Sequence, residues 1–292
     1  MLYLPNPRSS YDGPVYGFFD DSYTLASKGY NGADRMSVKQ FVTMGVLFLL
    51  IVIVSLLLRR TKREKLYLIY RIMAIAMPLL EIAKITFSSY FDIINNQGFN
   101  WGGILPLYTC SMLLFFLPFL AWGKGKMKAW SMAFFSTIGL VAGLSNFIYL
   151  SAAGYYPIFT FGGLYSVIFH GALVFVGMSL MITGEYKPSY RSILEGMIPV
   201  LIFSIPVIPF NYILRACFPN GGYADYMLLM DCNGFPYIGD FANWLASFHL
   251  RFLFTLFMLV VVYPLATGII VFVEVGLFKA FSLVPKKEKA AQ

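Results

Sequence analysis

Charged side chains are scarce in this sequence, at 12% of 292 residues against 59% hydrophobic. That leaves too little polar surface to cover a water-soluble globule of this length, so the soluble class is excluded and an integral membrane protein is expected. Period-two alternation is also missing, and open sheets cannot satisfy their backbone in lipid. What remains is an all-α, polytopic bundle. Histidine and cysteine are nearly absent, with two and three copies. His249 has no partner at ligand spacing, so metal-assisted hydrolysis is disfavoured and no metal or other cofactor is expected. No inverted repeat is visible, and the last apolar segment has no interior lysine, which argues against a retinal Schiff base.

Lysine and arginine are absent from 92–103, 154–161 and 218–247. The intervening loops hold Arg59, Arg60, Lys62, Arg63 and Lys65, then Lys124, Lys126 and Lys128, then Lys187 and Arg191, and Lys279, Lys286, Lys287 and Lys289 follow the last span. Because basic residues concentrate on the cytoplasmic side, the N-terminus is expected outside and the C-terminus inside. The formal charge of +8 is then a topological signal. It carries no indication of nucleic acid, and the partners expected are membrane lipids.

Seven apolar segments of spanning length can be read, at 41–58, 66–91, 104–122, 130–153, 162–183, 191–217 and 248–276. The expected organisation is an extracellular aromatic-rich tail over 1–40, a seven-transmembrane-helix domain over 41–278 and a basic cytoplasmic tail over 279–292. The tail has tyrosines at 3, 11, 16, 23 and 30 and lacks the basic start and apolar core of a cleavable signal, so the first span is expected to direct insertion. It either lies across the outer mouth or stays unstructured. In the third span Pro106 is expected to open the helix and Pro118 to kink it, with Cys110 one turn inside. The three prolines 199, 206 and 209 predict a bent sixth span.

A few polar residues stand inside these spans. Glu81 and Lys84, three apart, share a helix face, as a structural ion pair or a substrate-orienting site. Gly139 and Gly143 make a small-residue face ending at Asn146. His170 is the only ionisable group of the fifth span, and Asn211 follows the prolines of the sixth. Counted inward from the outer helix ends, Lys84, Cys110, Asn146, His170 and Asn211 all lie roughly 9–12 Å deep. That coincidence points to a pocket opening outward. Within it Cys110 and His170 are the only nucleophile and neutral-range base, the pair that acyl transfer requires: a thiolate to attack a carbonyl and an imidazole to move the proton. Cys217 and Cys232, fifteen apart on the expected outer side, form a disulfide or remain free thiols.

Leu-Pro-Leu-Tyr-Thr-Cys at 105–110, the Glu81 helix before it, Phe-His-Gly at 169–171, and Asn211-Tyr212 followed by Asp225-Tyr226-Met227-Leu228-Leu229 resemble the bacterial YwaF-type integral membrane proteins. That family is similar to an animal transmembrane lipid acyltransferase with a proposed Cys/His active site. The resemblance spans residues 66–270 and implies Cys110 as nucleophile and His170 as base. Tyr108 and Asp225 depart from it, since the family often has His and Asn there. The expected function is a membrane enzyme of lipid acyl transfer or lipid hydrolysis at the cell membrane, with Glu81, Lys84, Asn146 and Asn211 around the substrate. The competing expectation is a transporter or small-molecule receptor with a charged intramembrane pocket.

Overall fold

The structure, a computed structural model, describes residues 16–95, 105–149, 155–217, 225–230 and 237–282. Helices make up nearly all of the regular structure and no strand occurs among these residues. In chain order they are α1 (Ser22–Ser27), α2 (Val38–Leu58), α3 (Arg63–Ile94), α4 (Met112–Trp122), α5 (Gly125–Ile148), α6 (Phe161–Thr183), α7 (Arg191–Cys217), α8 (Ile238–Ser247) and α9 (251–282). Six of these, α2, α3, α5, α6, α7 and α9, are long and apolar enough to cross a membrane. The protein is a multi-pass membrane protein.

Local chemistry explains the helix ends. The Ser37 side chain accepts from the Gln40 N–H at 3.1 Å to start α2, and Thr160 accepts from Gly163 to start α6. Gly184, at φ +78°, closes α6 in the left-handed conformation that a side chain would resist. On α3, Tyr70, Ala74, Met77 and Glu81 form a buried stripe, whereas Leu68, Ile72, Ile75, Leu79 and Ile82 are all more than half exposed. The helical period alone therefore turns Glu81 inward and a row of leucines and isoleucines toward lipid. α6 is buried on almost every face and forms the bundle's centre. Close approach to α5 depends on glycine: a side chain at Gly143 would lie 2.7 Å from Val174 and 3.0 Å from the His170 carbonyl.

Two expectations change. The 104–122 segment is no full span: residues 105–111 are turns, and α4 has only 11 residues, about 16 Å of helix against a ~30 Å hydrocarbon core. Pro106 therefore opens no helix, and Cys110 sits in the turn that precedes α4, where Leu113 donates to its carbonyl at 3.2 Å. The expected fourth span, 130–153, is shifted, because α5 runs from Gly125 to Ile148 with a π turn at Phe135–Gly139. Its early start brings Lys128 into the helix, where the ammonium lies 3.9 Å from the Tyr67 ring centre. The sixth expected span is α7, one helix that contains Pro199, Pro206 and Pro209.

Residues 16–37, ahead of α2, are docked onto the bundle. Tyr23 donates to Asp92 at 3.1 Å, the Phe161 N–H donates to the Phe18 carbonyl at 2.8 Å, and the Ile158 N–H donates to Asp34 at 2.8 Å. Residues 16–37 thus lie over the ends of α3 and α6. Cys232, one half of the disulfide expected with Cys217, lies outside the described residues.

Candidate functional site

Glu81, inward on α3, receives a short hydrogen bond from the Tyr165 hydroxyl of α6, and Lys84 stands 3.6 Å from its other oxygen. The same ammonium lies 5.8 Å from the Tyr165 ring centre. Glu81 is 4% exposed and the Lys84 side chain 24%, so the carboxylate is held inside while its counter-charge reaches the rim. A carboxylate at this depth costs several kcal/mol unless partnered, and here two groups partner it. Cys110 lies within electrostatic reach of Glu81 and Tyr165, and no hydrogen bond joins it to either among the described residues.

The turn that carries Cys110 is fixed from the far side of the bundle. Asp225–Met230, expected in an outer loop, is inserted instead: Tyr226, Met227, Leu229 and Met230 are all essentially inaccessible. Asn211 holds it with both ends of its amide, donating to the Tyr226 carbonyl at 2.9 Å and accepting from the Tyr226 N–H at 3.1 Å. Tyr263 of α9 donates to the Met227 carbonyl at 2.7 Å and meets the Thr109 hydroxyl at 2.6 Å. The Tyr108 and Tyr226 rings stack edge-on at 5.1 Å. Two irregular segments, Leu105–Ser111 and Asp225–Met230, therefore brace each other inside the bundle, where backbone away from helix is tolerated only if protein satisfies it. Met227 and Leu228 adopt φ of +59° and +54°. Left-handed backbone at two bulky residues is strain of the kind that concentrates at functional sites.

His170 stands on another face of α6. It is five residues from Tyr165, about 140° around the helix, on the stripe with Val174 and Gly177 that packs on α5. Its Nδ1 lies 2.8 Å from the Ser166 carbonyl, a bond that only an N–H can make, so Nε2 is left as the unprotonated acceptor. Nε2 is buried and has no hydrogen-bond partner among the described residues. One turn outward from Gly143 on the facing stripe, Asn146 donates to the Ala142 carbonyl at 3.3 Å and leaves its own Oδ1 buried and unpartnered. Two acceptors cannot satisfy each other, so a donor that bonds either one fits this seam.

The structure thus brings together Glu81, Lys84 and Tyr165, with Cys110 in electrostatic reach of Glu81. It sets His170 and Asn146 on the neighbouring α5–α6 seam and commits Asn211 to the Tyr226 backbone. No hydrogen bond joins Cys110 to His170 among the described residues.

The model of the TMEM164 family, a family of transmembrane proteins, matches residues 35–264. The chain belongs to the TMEM164 family. No curated protein and no solved structure matches it. The region matched to the TMEM164 family contains every residue of the Glu81 cluster, both braced segments and His170.

Two residues of note were missed from sequence. Tyr165 had no signal beyond being a polar-tipped aromatic inside an apolar run, since its partner is 84 positions away. Glu274 had one, as the single acid within α9. It is 1% exposed, lies beyond the TMEM164-matched region, and neither carboxylate oxygen has a partner among the described residues. The opposite end of the bundle also holds a network that sequence reading passed over, in which Glu185 pairs with Arg63 at 2.8 Å and accepts from Tyr67 at 3.0 Å.

Proposed function

We propose that this protein is a cell-membrane enzyme of lipid acyl transfer or lipid hydrolysis, with Cys110 as nucleophile and His170 as base. The observation that carries the reading is the buried imidazole whose Nδ1 is tied to Ser166 while Nε2 keeps a free lone pair. The large majority of buried side-chain polar atoms have a hydrogen-bond partner. This imidazole is left in the tautomer that accepts a proton. The segments Leu105–Cys110 and Phe169–Gly171, which resemble the YwaF-type proteins and the animal lipid acyltransferase, support the same pair.

In the proposed reaction Nε2 takes the thiol proton, Sγ attacks the acyl ester carbonyl, and the ester C–O bond breaks to leave a thioester. The departing alcohol takes the proton from the imidazolium. An acceptor hydroxyl or water then gives its proton to Nε2 and attacks the thioester, which restores the thiol. Lys84 offsets headgroup charge and Asn146 receives a hydrogen bond from the acceptor. Catalysis needs the thiol and the imidazole within hydrogen-bond reach, directly or through one water, so the Cys110 turn must close toward α6 in the substrate complex.

The test is turnover of a labelled phospholipid by purified variants in nanodiscs. Cys110→Ser should lower turnover on the order of 10³-fold, His170→Ala about 10²–10⁴-fold, and the double variant little further, as expected of residues acting as one unit. Wild-type turnover by Cys110→Ser would sink the thiol mechanism. The second reading, a solute transporter or receptor, is favoured by one observation, the meeting of two irregular segments inside the bundle. It expects Cys110→Ser to be silent and Lys84→Met to abolish solute uptake in proteoliposomes.

A further inference from the structure

On the lipid side of the α3–α6 seam lies a groove of about 290 Å³ lined by Phe18, Phe19, Leu80, Leu164, Tyr165 and Ile168, with Phe161 at its end. No polar atom lines it. Its volume sits at the lower end of the ~300–1,000 Å³ range of small-ligand clefts, the size of a chain segment rather than a whole lipid. The docked N-terminal segment forms its roof, where Phe18 and Phe19 pack on Phe161 with centroids 6.3 and 6.0 Å apart. One helical turn outward from Leu80 stands Lys84, partly exposed, its ammonium above the Tyr165 ring. Tyr165 belongs to both sides of the seam: its ring lines the groove and its hydroxyl bonds inward to Glu81.

We propose that this groove seats one acyl chain of a glycerophospholipid with its phosphate at Lys84. The inference rests on the lipid reading above and specifies where the substrate enters. An apolar trough that opens to lipid and ends at a rim cation is complementary to an anionic phosphate carried on a hydrocarbon chain. Neither a polar solute nor a bare hydrocarbon uses both features. The ester linkages of such a lipid fall between its phosphate and its chain, so a lipid bound this way brings them to the level of Tyr165.

The test is photo-crosslinking of the detergent-purified full chain with phosphatidylcholine carrying a diazirine in its acyl chain, followed by peptide mapping. Adducts should concentrate on Phe18, Phe19, Leu164 and Ile168, above the more exposed Leu194 and Ile205 of α7, and unlabelled phospholipid should compete them away. Ile168→Trp, or Leu80→Trp from the other wall, should fill the groove and reduce these adducts to background. Lys84→Met should weaken phospholipid labelling, and a diazirine fatty acid should label less well than the phospholipid. Cys110→Ser should keep the full adduct pattern, so a failed thiol mechanism and a failed groove give different results. Adducts spread evenly over α6 and α7, or unchanged in both tryptophan variants that still elute as folded protein, would overturn the site. Equal labelling by fatty acid and phospholipid, or indifference to Lys84→Met, would overturn the phosphate assignment.

Discussion

Glu81 and Glu274 are the same side chain in nearly the same burial, 4% and 1% exposed, yet one is hydrogen-bonded and ion-paired and the other has no hydrogen-bond partner among the described residues. Glu81 has a tyrosine hydroxyl on one oxygen and an ammonium near the other. Glu274 has neither, and its α9 neighbours Val271 and Thr267 are also buried. The partnered acid lies within the family-matched region and the solitary one outside it. Burial alone therefore does not mark a site in this bundle. What distinguishes the Glu81 end is convergence: α3 and α6 send a carboxylate, an ammonium and a hydroxyl to one place, with the Cys110 turn, itself held by a second irregular segment, in electrostatic reach.

The largest expected effect comes from breaking the partnered acid. Glu81→Ala leaves the Lys84 ammonium without its carboxylate and the Tyr165 hydroxyl without its acceptor. Removing one member of a buried pair costs on the order of 3–5 kcal/mol, discounted here because Lys84 is about a quarter exposed. Thermal unfolding in detergent should show a clear drop, and Glu81→Ala with Lys84→Met should recover part of it. A double variant no more stable than Glu81→Ala would mean that the ion pair contributes nothing.

An intermediate effect is expected at Asn211. Its amide replaces the peptide partner that the Tyr226 backbone would have in a helix, so Asn211→Ala orphans a buried N–H and a buried carbonyl at once. Each costs about 1–3 kcal/mol. Asn211→Asp keeps the acceptor and loses the donor, and should fall between wild type and alanine. Because the inserted segment braces the Cys110 turn, activity should follow this same order; full activity in a stably folded Asn211→Ala would detach the brace from the site.

The contrast between the two acids was only half legible in the sequence. Spacing alone put Glu81 and Lys84 on one face, and the apolar runs located the long helices, because length and hydropathy are what spanning lipid demands. The Leu105–Ser111 turn was illegible for the same reason. It is as apolar as a helix, and periodicity cannot tell a buried turn from a buried helix in so short a run. Insertion of Asp225–Met230 depends on Asn211, Thr255 and Tyr263, bonds spanning 15 to 36 positions, and no local pattern records them. Depth counting treated Cys110 and His170 as one layer. Depth ignores the rotation around α6 that sends Tyr165 toward Glu81 and His170 toward α5.

The smallest effect is expected at Glu274, and its smallness is informative. No ammonium or hydroxyl among the described residues meets either oxygen, so Glu274→Gln breaks no bond and exchanges one unpartnered polar group for another of equal size. Unfolding stability should change by no more than about 1 kcal/mol, well below the Glu81 result. Lipid turnover should be unaffected, since α9 meets the Cys110 turn through Tyr263 and Thr109, 11 positions before Glu274. The transporter reading expects the opposite. An intramembrane acid with no structural partner is where a carried cation or proton would bind, and Glu274→Gln would then abolish uptake while stability held. Uptake and turnover measured on this one variant beside Glu81→Gln assign the working carboxylate to one end of the bundle or the other.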